Sequence, residues 1–127
     1  MDDSTINSLV ADWDEVYKKG QLSLWILLAI YDGKKYSAQI NEFMMNATNG
    51  SFSVKEQSLY RALRRFSHMG LIRITEERPT KGAPKRKFFE ITSDGEVVLG
   101  RFVDLNIAPL YQPNITNLLQ QLQTKGK

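Results

Sequence analysis

The 127-residue chain contains no cysteine and only one histidine. The absence of cysteine excludes disulfides and thiolate metal sites, and it is typical of proteins from a reducing compartment. With a single histidine, the sequence shows neither a catalytic triad nor a histidine-rich metal site. We therefore expect no enzymatic activity, no catalytic residue, no metal and no cofactor.

Long apolar runs are also missing. No stretch approaches the roughly 20 apolar residues that cross a bilayer. The acidic N-terminal sequence MDDSTINS lacks the basic start and apolar centre of a signal peptide. We expect a cytoplasmic protein that does not associate with membranes. The chain length and the ordinary apolar content of 42% indicate one globular domain.

Positive charge is concentrated in the middle of the chain. Residues 53–90 contain ten Lys and Arg but only four Glu, whereas residues 1–20 contain two Lys and five acidic residues. The remaining segments, 21–52 and 91–127, are balanced. Because the excess is local, it predicts a binding surface for a polyanion rather than a uniformly basic protein.

Apolar periodicity predicts several helices. One amphipathic helix is expected over about residues 4–18, with Gly20 interrupting it, and a largely apolar helix is expected over residues 22–32. Another amphipathic helix follows from about Tyr36 to Asn49. The next helix covers about residues 53–69 and opens on a predicted capping box, S-x-x-E.

Two β-like segments, 71–77 and 88–92, flank the basic turn KGAPKRK and predict a hairpin with this turn at its tip. A further helix is expected from Thr92 or Ser93 to about Asn106, and Pro113 suits the first turn of a last helix. The predicted fold class is therefore mainly α (α+β): a winged helix-turn-helix with a two-stranded wing and extra N- and C-terminal helices.

The residues also resemble a known family, the PadR family of winged-helix transcriptional regulators. The resemblance rests on GQLSLWILLAIYDGKKYSAQINEF, SLYRALRRFSHMGLI and GAPKRKFFEITSDGEVVL, which together cover about residues 19–100. Ser37 and Ala38 stand where the family has Gly-Tyr, and Phe88 and Phe89 replace two wing tyrosines. The short C-terminal region resembles the small branch of the family, in which this region contributes to a dimer.

The predicted recognition helix carries a polar stripe opposite its apolar side. Its N-terminal half approaches the base edges in helix-turn-helix docking, which makes Lys55, Gln57, Ser58 and Arg61 candidates for contacts at or near the bases. Arg64 and Arg65 are candidates for phosphate contacts. A solvated, arginine-rich surface is the alternative explanation of the helix taken alone.

The wing supplies further candidates. We expect the basic side chains of the wing to contact the DNA backbone or the minor groove, giving affinity more than specificity. These residues are Lys81, Lys85, Arg86 and Lys87. An ordinary solvated hairpin is the alternative. The resemblance also implies phosphate contacts from Tyr36 and Tyr60. Packing at the edge of the core is the alternative for both tyrosines.

Apolar stripes on the two terminal helices exceed what a three-helix centre needs. We expect residues 1–18 to support a dimer, residues 19–106 to form the DNA-binding domain and residues 107–127 to form a dimerisation helix. The expected interface residues are Leu9, Trp13, Ile115, Leu118, Leu119 and Leu122. Packing of both stripes onto their own domain is the alternative. A small aromatic effector near Trp13, Trp25 and Tyr111 is a further possibility, suggested by relatives alone.

These observations favour a sequence-specific, DNA-binding transcriptional regulator. We expect a homodimer on double-stranded DNA with a pseudo-palindromic operator, acting as a repressor. The alternative is a winged helix used for protein–protein contacts, an adaptor with only non-specific affinity for DNA.

Overall fold

Five α-helices and one two-stranded sheet make up the fold of the computed structural model, which describes all of residues 1–127. The elements follow the chain as α1 (Asp3–Tyr31), α2 (Ser37–Ala47), α3 (Glu56–His68), β1 (Ile72–Glu77), β2 (Arg86–Ile91), α4 (Ser93–Asn106) and α5 (Pro113–Lys125). A short 3-10 helix, Ala108–Tyr111, joins α4 to α5. The predicted fold class, a winged helix-turn-helix with extra terminal helices, is confirmed. No helix combines the length and the apolar character that crossing a membrane requires.

Helix α1 is continuous through Gly20, so the prediction of two separate helices was wrong. A helical glycine costs only about 1 kcal/mol relative to alanine. On its N-terminal side, ion pairs one turn apart join Asp14 to Lys18 and Glu15 to Lys19. On its C-terminal side, the apolar residues of α1 pack into the core. These contacts are enough to carry the helix across one glycine.

The core lies between the second half of α1, helices α2 and α3, one side of α4 and the inner face of the sheet. It is a single cluster of 16 buried residues. The largest fully buried side chains are Ile26 and Ile30 of α1, Ile40 and Met44 of α2, Leu63 of α3 and Phe89 of β2. The first half of α1 and all of α5 contribute nothing to this cluster.

Strands β1 and β2 form an antiparallel hairpin in which Ile72 pairs with Ile91 and Glu77 pairs with Arg86. Strand β2 begins two residues earlier than predicted, so that Arg86 and Lys87 lie in the strand and the tip covers residues 78–85. The hairpin is fastened to the α1–α2 turn by an isolated bridge between Lys35 and Phe89, with backbone N–H···O distances of 3.1 and 2.8 Å.

Helix α4 begins as predicted, with Thr92 as its N-cap. The Thr92 hydroxyl accepts a hydrogen bond from the Gly95 backbone N–H at 3.0 Å and donates to the Gly70 carbonyl at 2.7 Å. One side chain thus satisfies an orphan donor of the helix and ties the helix start to the residues that precede β1. The predicted start of α5 at Pro113 is also confirmed.

Candidate nucleic-acid interface

Helix α3 starts at Glu56, with Lys55 as its N-cap, and no side chain caps it. The predicted capping box between Ser53 and Glu56 was therefore wrong. The segment before the helix is held extended, because Phe52 is buried in the core and the Val54 backbone N–H donates to Asn41 Oδ1 at 3.2 Å. These contacts delay the helix start and leave the Glu56 carboxylate without the partner that a capping box would give it.

The two sides of α3 differ sharply in burial. Leu59, Ala62, Leu63 and Phe66 are buried against the core. Gln57, Arg61 and Arg64 are exposed, and with Glu56 and Tyr60 they line an open depression of about 480 Å³. The structure therefore gathers three of the predicted recognition residues on one accessible surface.

Arg65 does not join that surface. One of its guanidinium nitrogens donates to Ser23 Oγ of α1 at 3.4 Å, and the group lies over the Phe66 ring at 5.3 Å. Of the other two predicted residues, Lys55 is exposed at the N-cap and Ser58 is half-buried. Helical spacing already places Arg65 at the flank of the stripe that contains Arg64, and the contact with Ser23 turns its side chain further towards α1.

The basic residues of the wing lie in two places, on the tip and on strand β2. Lys81 and Lys85 are exposed on the tip, where Arg78 Nη1 donates to the Ala83 carbonyl at 2.6 Å and closes the loop. Arg86 and Lys87 are exposed on β2. The Arg86 guanidinium lies 4.8 Å from the centre of the Tyr36 ring, so this arginine is held beside the start of α2.

The two tyrosines lie where the helices meet the wing. Tyr36 is the N-cap of α2 and makes an edge contact with Phe88, the ring centres being 5.5 Å apart. The Tyr60 hydroxyl donates to Ser37 Oγ at 3.2 Å, and its ring lies 6.4 Å from that of Phe89. Both tyrosines are half-buried. They join α2, α3 and β2 and so fix the angle between the recognition helix and the wing.

An ion pair that the sequence does not indicate ties the tip end of β1 to the turn between α1 and α2. Lys34 Nζ donates to Glu77 Oε1 at 2.7 Å. This hydrogen bond, followed by one from the Thr75 hydroxyl, lowers the pKa of the Glu77 carboxyl, and the bond to Glu77 raises the pKa of the Lys34 ammonium. The Lys34–Glu77 ion pair stabilises the folded state between the pKa of Glu77 and the pKa of Lys34. That stabilisation is lost as pH falls through the first or rises through the second. The sequence around Lys34 does not predict this ion pair, because its partner Glu77 is 43 residues away in the chain.

The apolar residues of the terminal helices stay on the surface. Leu9 and Trp13 on α1 are 53% and 77% exposed, and on α5 Ile115 is half-buried while Leu118, Leu119 and Leu122 are 52%, 45% and 63% exposed. The alternative, that these stripes cover their own domain, does not describe this protomer. Trp13 borders an open cavity of about 410 Å³ between α1 and α4, but Trp25 packs against the core and Tyr111 lies elsewhere. Within one protomer these three aromatic residues form no common pocket.

Solved structures share this architecture. A PadR-like regulator from Bacillus cereus is 28% identical, with a TM-score of 0.63 over 80% of this chain and 94% of that one. A PadR family regulator from Eggerthella lenta is 20% identical, with a TM-score of 0.66 over 91% and 96%. Bacillus subtilis PadR, solved in complex with operator DNA, is 18% identical, with a TM-score of 0.56 over 65% of this chain and 46% of that one.

The sequence itself matches the model of the PadR-like family of transcriptional regulators over residues 26–101. It is also 33% identical over 85 residues to the uncharacterized protein X of Lysinibacillus sphaericus, an alignment that covers 67% of this chain and 77% of that protein. The family match spans α3 and the whole wing, the elements that carry Arg61 and Arg64 and the basic residues from Lys81 to Lys87. The chain belongs to the PadR-like family of DNA-binding, winged-helix transcriptional regulators.

Proposed function

We propose that the protein is a sequence-specific repressor that binds a pseudo-palindromic operator as a homodimer. The observation that carries this proposal is the single accessible surface of α3 formed by Gln57, Arg61 and Arg64, with the basic wing beside it. One α-helix fits the major groove of B-DNA, where Arg pairs with guanine and Gln pairs with adenine. Bacillus subtilis PadR, which shares the fold, has been solved with operator DNA.

The residues divide between reading bases and holding phosphates. Gln57 and Arg61 lie in the N-terminal half of α3, the part that approaches base edges in helix-turn-helix docking, and Lys55 and Ser58 flank them. Arg64 lies further along the helix and is assigned to phosphate. The second phosphate-binding region is the wing, with Lys81, Lys85, Lys87 and Arg86, whose guanidinium lies over the Tyr36 ring. Arg65 is likewise assigned to phosphate, from the flank of α3, and its contact with Ser23 would be released on binding.

Dimerisation gives the arrangement its symmetry. The exposed apolar residues of α1 and α5 supply a surface that a second copy of the chain would cover. A two-fold dimer places two recognition helices about 34 Å apart, one turn of B-DNA, and so selects a pseudo-palindrome. A dimer that occupies a promoter blocks polymerase, and because its target is chromosomal DNA we place the protein in the cytoplasm.

The experiment that tests the proposal selects binding sites from a pool of random double-stranded DNA and then compares the selected site with scrambled DNA over a salt series. We expect a symmetric selected site, a preference of about a thousandfold or more, and a salt slope of several units. Equal and weak binding to both DNAs would overturn the proposal and would favour the adaptor function.

Arg61→Ala is expected to weaken binding to the selected site by about 1–3 kcal/mol and to relax the base preference at one position of each half-site. The physical reason is the loss of two hydrogen bonds to a base edge. Titration of the variant against sites mutated one base pair at a time measures both effects. Arg101→Ala, which removes an exposed arginine from α4, is the matched control and should leave both unchanged.

The double substitution Lys85→Ala, Lys87→Ala is expected to weaken binding to all DNA sequences alike and to reduce the salt slope by about two units, since each lysine would neutralise one phosphate. The double substitution Lys125→Ala, Lys127→Ala removes the same charge from the C-terminal end and serves as the control. If the wing variant lost preference for particular bases, the assignment of the wing to phosphates would be wrong.

A further inference from the structure

The Glu56 carboxylate is a free negative charge at the start of the recognition helix. It is exposed, and it makes neither an ion pair nor a side-chain hydrogen bond. By contrast, Glu77 and Glu90 on the wing are neutralised by Lys34 and Arg73, each at 2.7 Å. Of the four acids in residues 53–90, Glu56 and Glu76 make no ion pair, and only Glu56 lies on the recognition helix, beside Gln57 and Arg61.

Its location is central to the interface. Glu56 lines the same depression as Gln57, Arg61 and Arg64, and it also borders a second depression of about 250 Å³ formed with Ser37 and Asn41 of α2. The residue thus lies where α2 meets the first turn of α3. Since this end of the recognition helix approaches the base edges, the carboxylate would enter the major groove with Gln57 and Arg61.

A carboxylate in that place is repelled by phosphates, and it can only accept hydrogen bonds. The base-edge donors of the major groove are the amino groups of cytosine and adenine. Adenine presents an acceptor, N7, next to its amino group, whereas cytosine presents the N4 amino group alone, the donor that Glu reads. Cytosine is therefore the base that best compensates this charge.

We propose that Glu56 is a specificity-determining residue that accepts a hydrogen bond from the N4 amino group of a cytosine in each half-site. The inference rests on the proposed function. The same charge weakens binding to sequences that offer no donor, so Glu56 improves discrimination by lowering the affinity for wrong sites as well as by recognising the right one. A different role, favourable interaction with the helix dipole in the first turn of α3, concerns stability alone.

Selection from random double-stranded DNA tests the proposal with wild type, Glu56→Ala and Glu56→Gln. We expect the wild type to select cytosine at one position of each half-site, by about fivefold or more over the other bases. Glu56→Ala should lose that preference while keeping the others, and it should bind scrambled DNA more tightly than wild type. Glu56→Gln should shift the preference at the same position from cytosine towards adenine.

The matched control is Glu96→Gln, which removes an exposed carboxylate from the first turn of α4 and should leave the selected site unchanged. If the Glu56 variants select the same bases as wild type at every position, the proposal is overturned and Glu56 acts on helix stability alone. If the wild type selects no sequence, both the proposed function and this inference fail. Because the Glu56 side chain has no partner in the fold, both variants should remain folded.

Discussion

The double substitution Leu118→Glu, Leu122→Glu is expected to convert the protein from a dimer to a monomer and to weaken operator binding by a factor of about 10²–10⁴. Both leucines are more than half exposed on α5, so neither glutamate disturbs the core of the protomer. In the proposed dimer the same positions are covered by a second chain, where an unpaired charge is strongly destabilising.

The loss of affinity follows from the linkage of two half-site contacts. In a dimer, binding of the first recognition helix holds the second one beside its own half-site, so the second contact forms at a high effective concentration. A monomer has only one recognition helix and one wing. It should therefore bind a half-site and a full operator with similar affinity, while keeping the base preferences of α3.

Sedimentation or light scattering measures the oligomeric state, and titration with full and half operators measures the affinity. The matched control is Asn117→Asp, Gln120→Glu, which adds the same two charges to the side of α5 facing away from the leucines. A dimer that survives the leucine substitutions but not the control would move the interface to another surface. Full operator affinity in a monomeric variant would refute the role of dimerisation.

Local signals were sufficient for most of the fold. Helix α3 has buried residues at helical spacing along one side, and that spacing alone separates its two surfaces. Thr92 and Pro113 mark helix starts through chemistry that depends on nearby residues only, a hydroxyl that accepts a backbone N–H and a ring that lacks one. The alternation of strand residues around a Gly/Pro turn likewise predicts the hairpin without any knowledge of its neighbours.

The wrong predictions concern features that depend on distant contacts. The S-x-x-E pattern at Ser53 has the right spacing for a capping box, but the anchoring of Phe52 and the bond from Val54 to Asn41 hold this segment extended. Gly20 was expected to end a helix, whereas the core contacts of the following residues continue it. In each case tertiary packing outweighs a local preference of about 1 kcal/mol.

The candidate site shows the same limit. Sequence spacing identified the exposed stripe of α3, but it could not show that Arg65 turns towards Ser23 or that Arg86 stacks on Tyr36. Those directions are set by elements 42 and 50 residues away in the chain, α1 for Arg65 and the start of α2 for Arg86. The significance of Glu56 was hidden for the same reason, since a capping box would have given its carboxylate a structural role.

The substitution Gly95→Ala is expected to destabilise the protein by about 1–3 kcal/mol. The cause is overpacking where α4 meets the wing root, the end of the hairpin at Leu71 and Ile91. A β-carbon at this position would lie 2.1 Å from the Leu71 carbonyl oxygen and 2.8 Å from Ile91 Cγ1. The first of these is a backbone atom that precedes β1, so the clash cannot be relieved by turning a side chain. The gain in helix propensity from glycine to alanine, about 1 kcal/mol, is smaller than the cost of moving α4.

Gly100→Ala separates the two effects, because Gly100 lies in the same helix and a β-carbon there would meet nothing within 4 Å. This control should be neutral or stabilised by up to about 1 kcal/mol. Urea denaturation at one fixed protein concentration measures the free energy of unfolding of both variants, since the stability of a dimer depends on concentration.

The displaced α4 also moves Thr92, whose hydroxyl joins Gly95 to Gly70. The Gly95 variant should therefore bind operator less tightly, because the wing root shifts. Equal stability of the two variants would mean that α4 does not approach the wing root this closely.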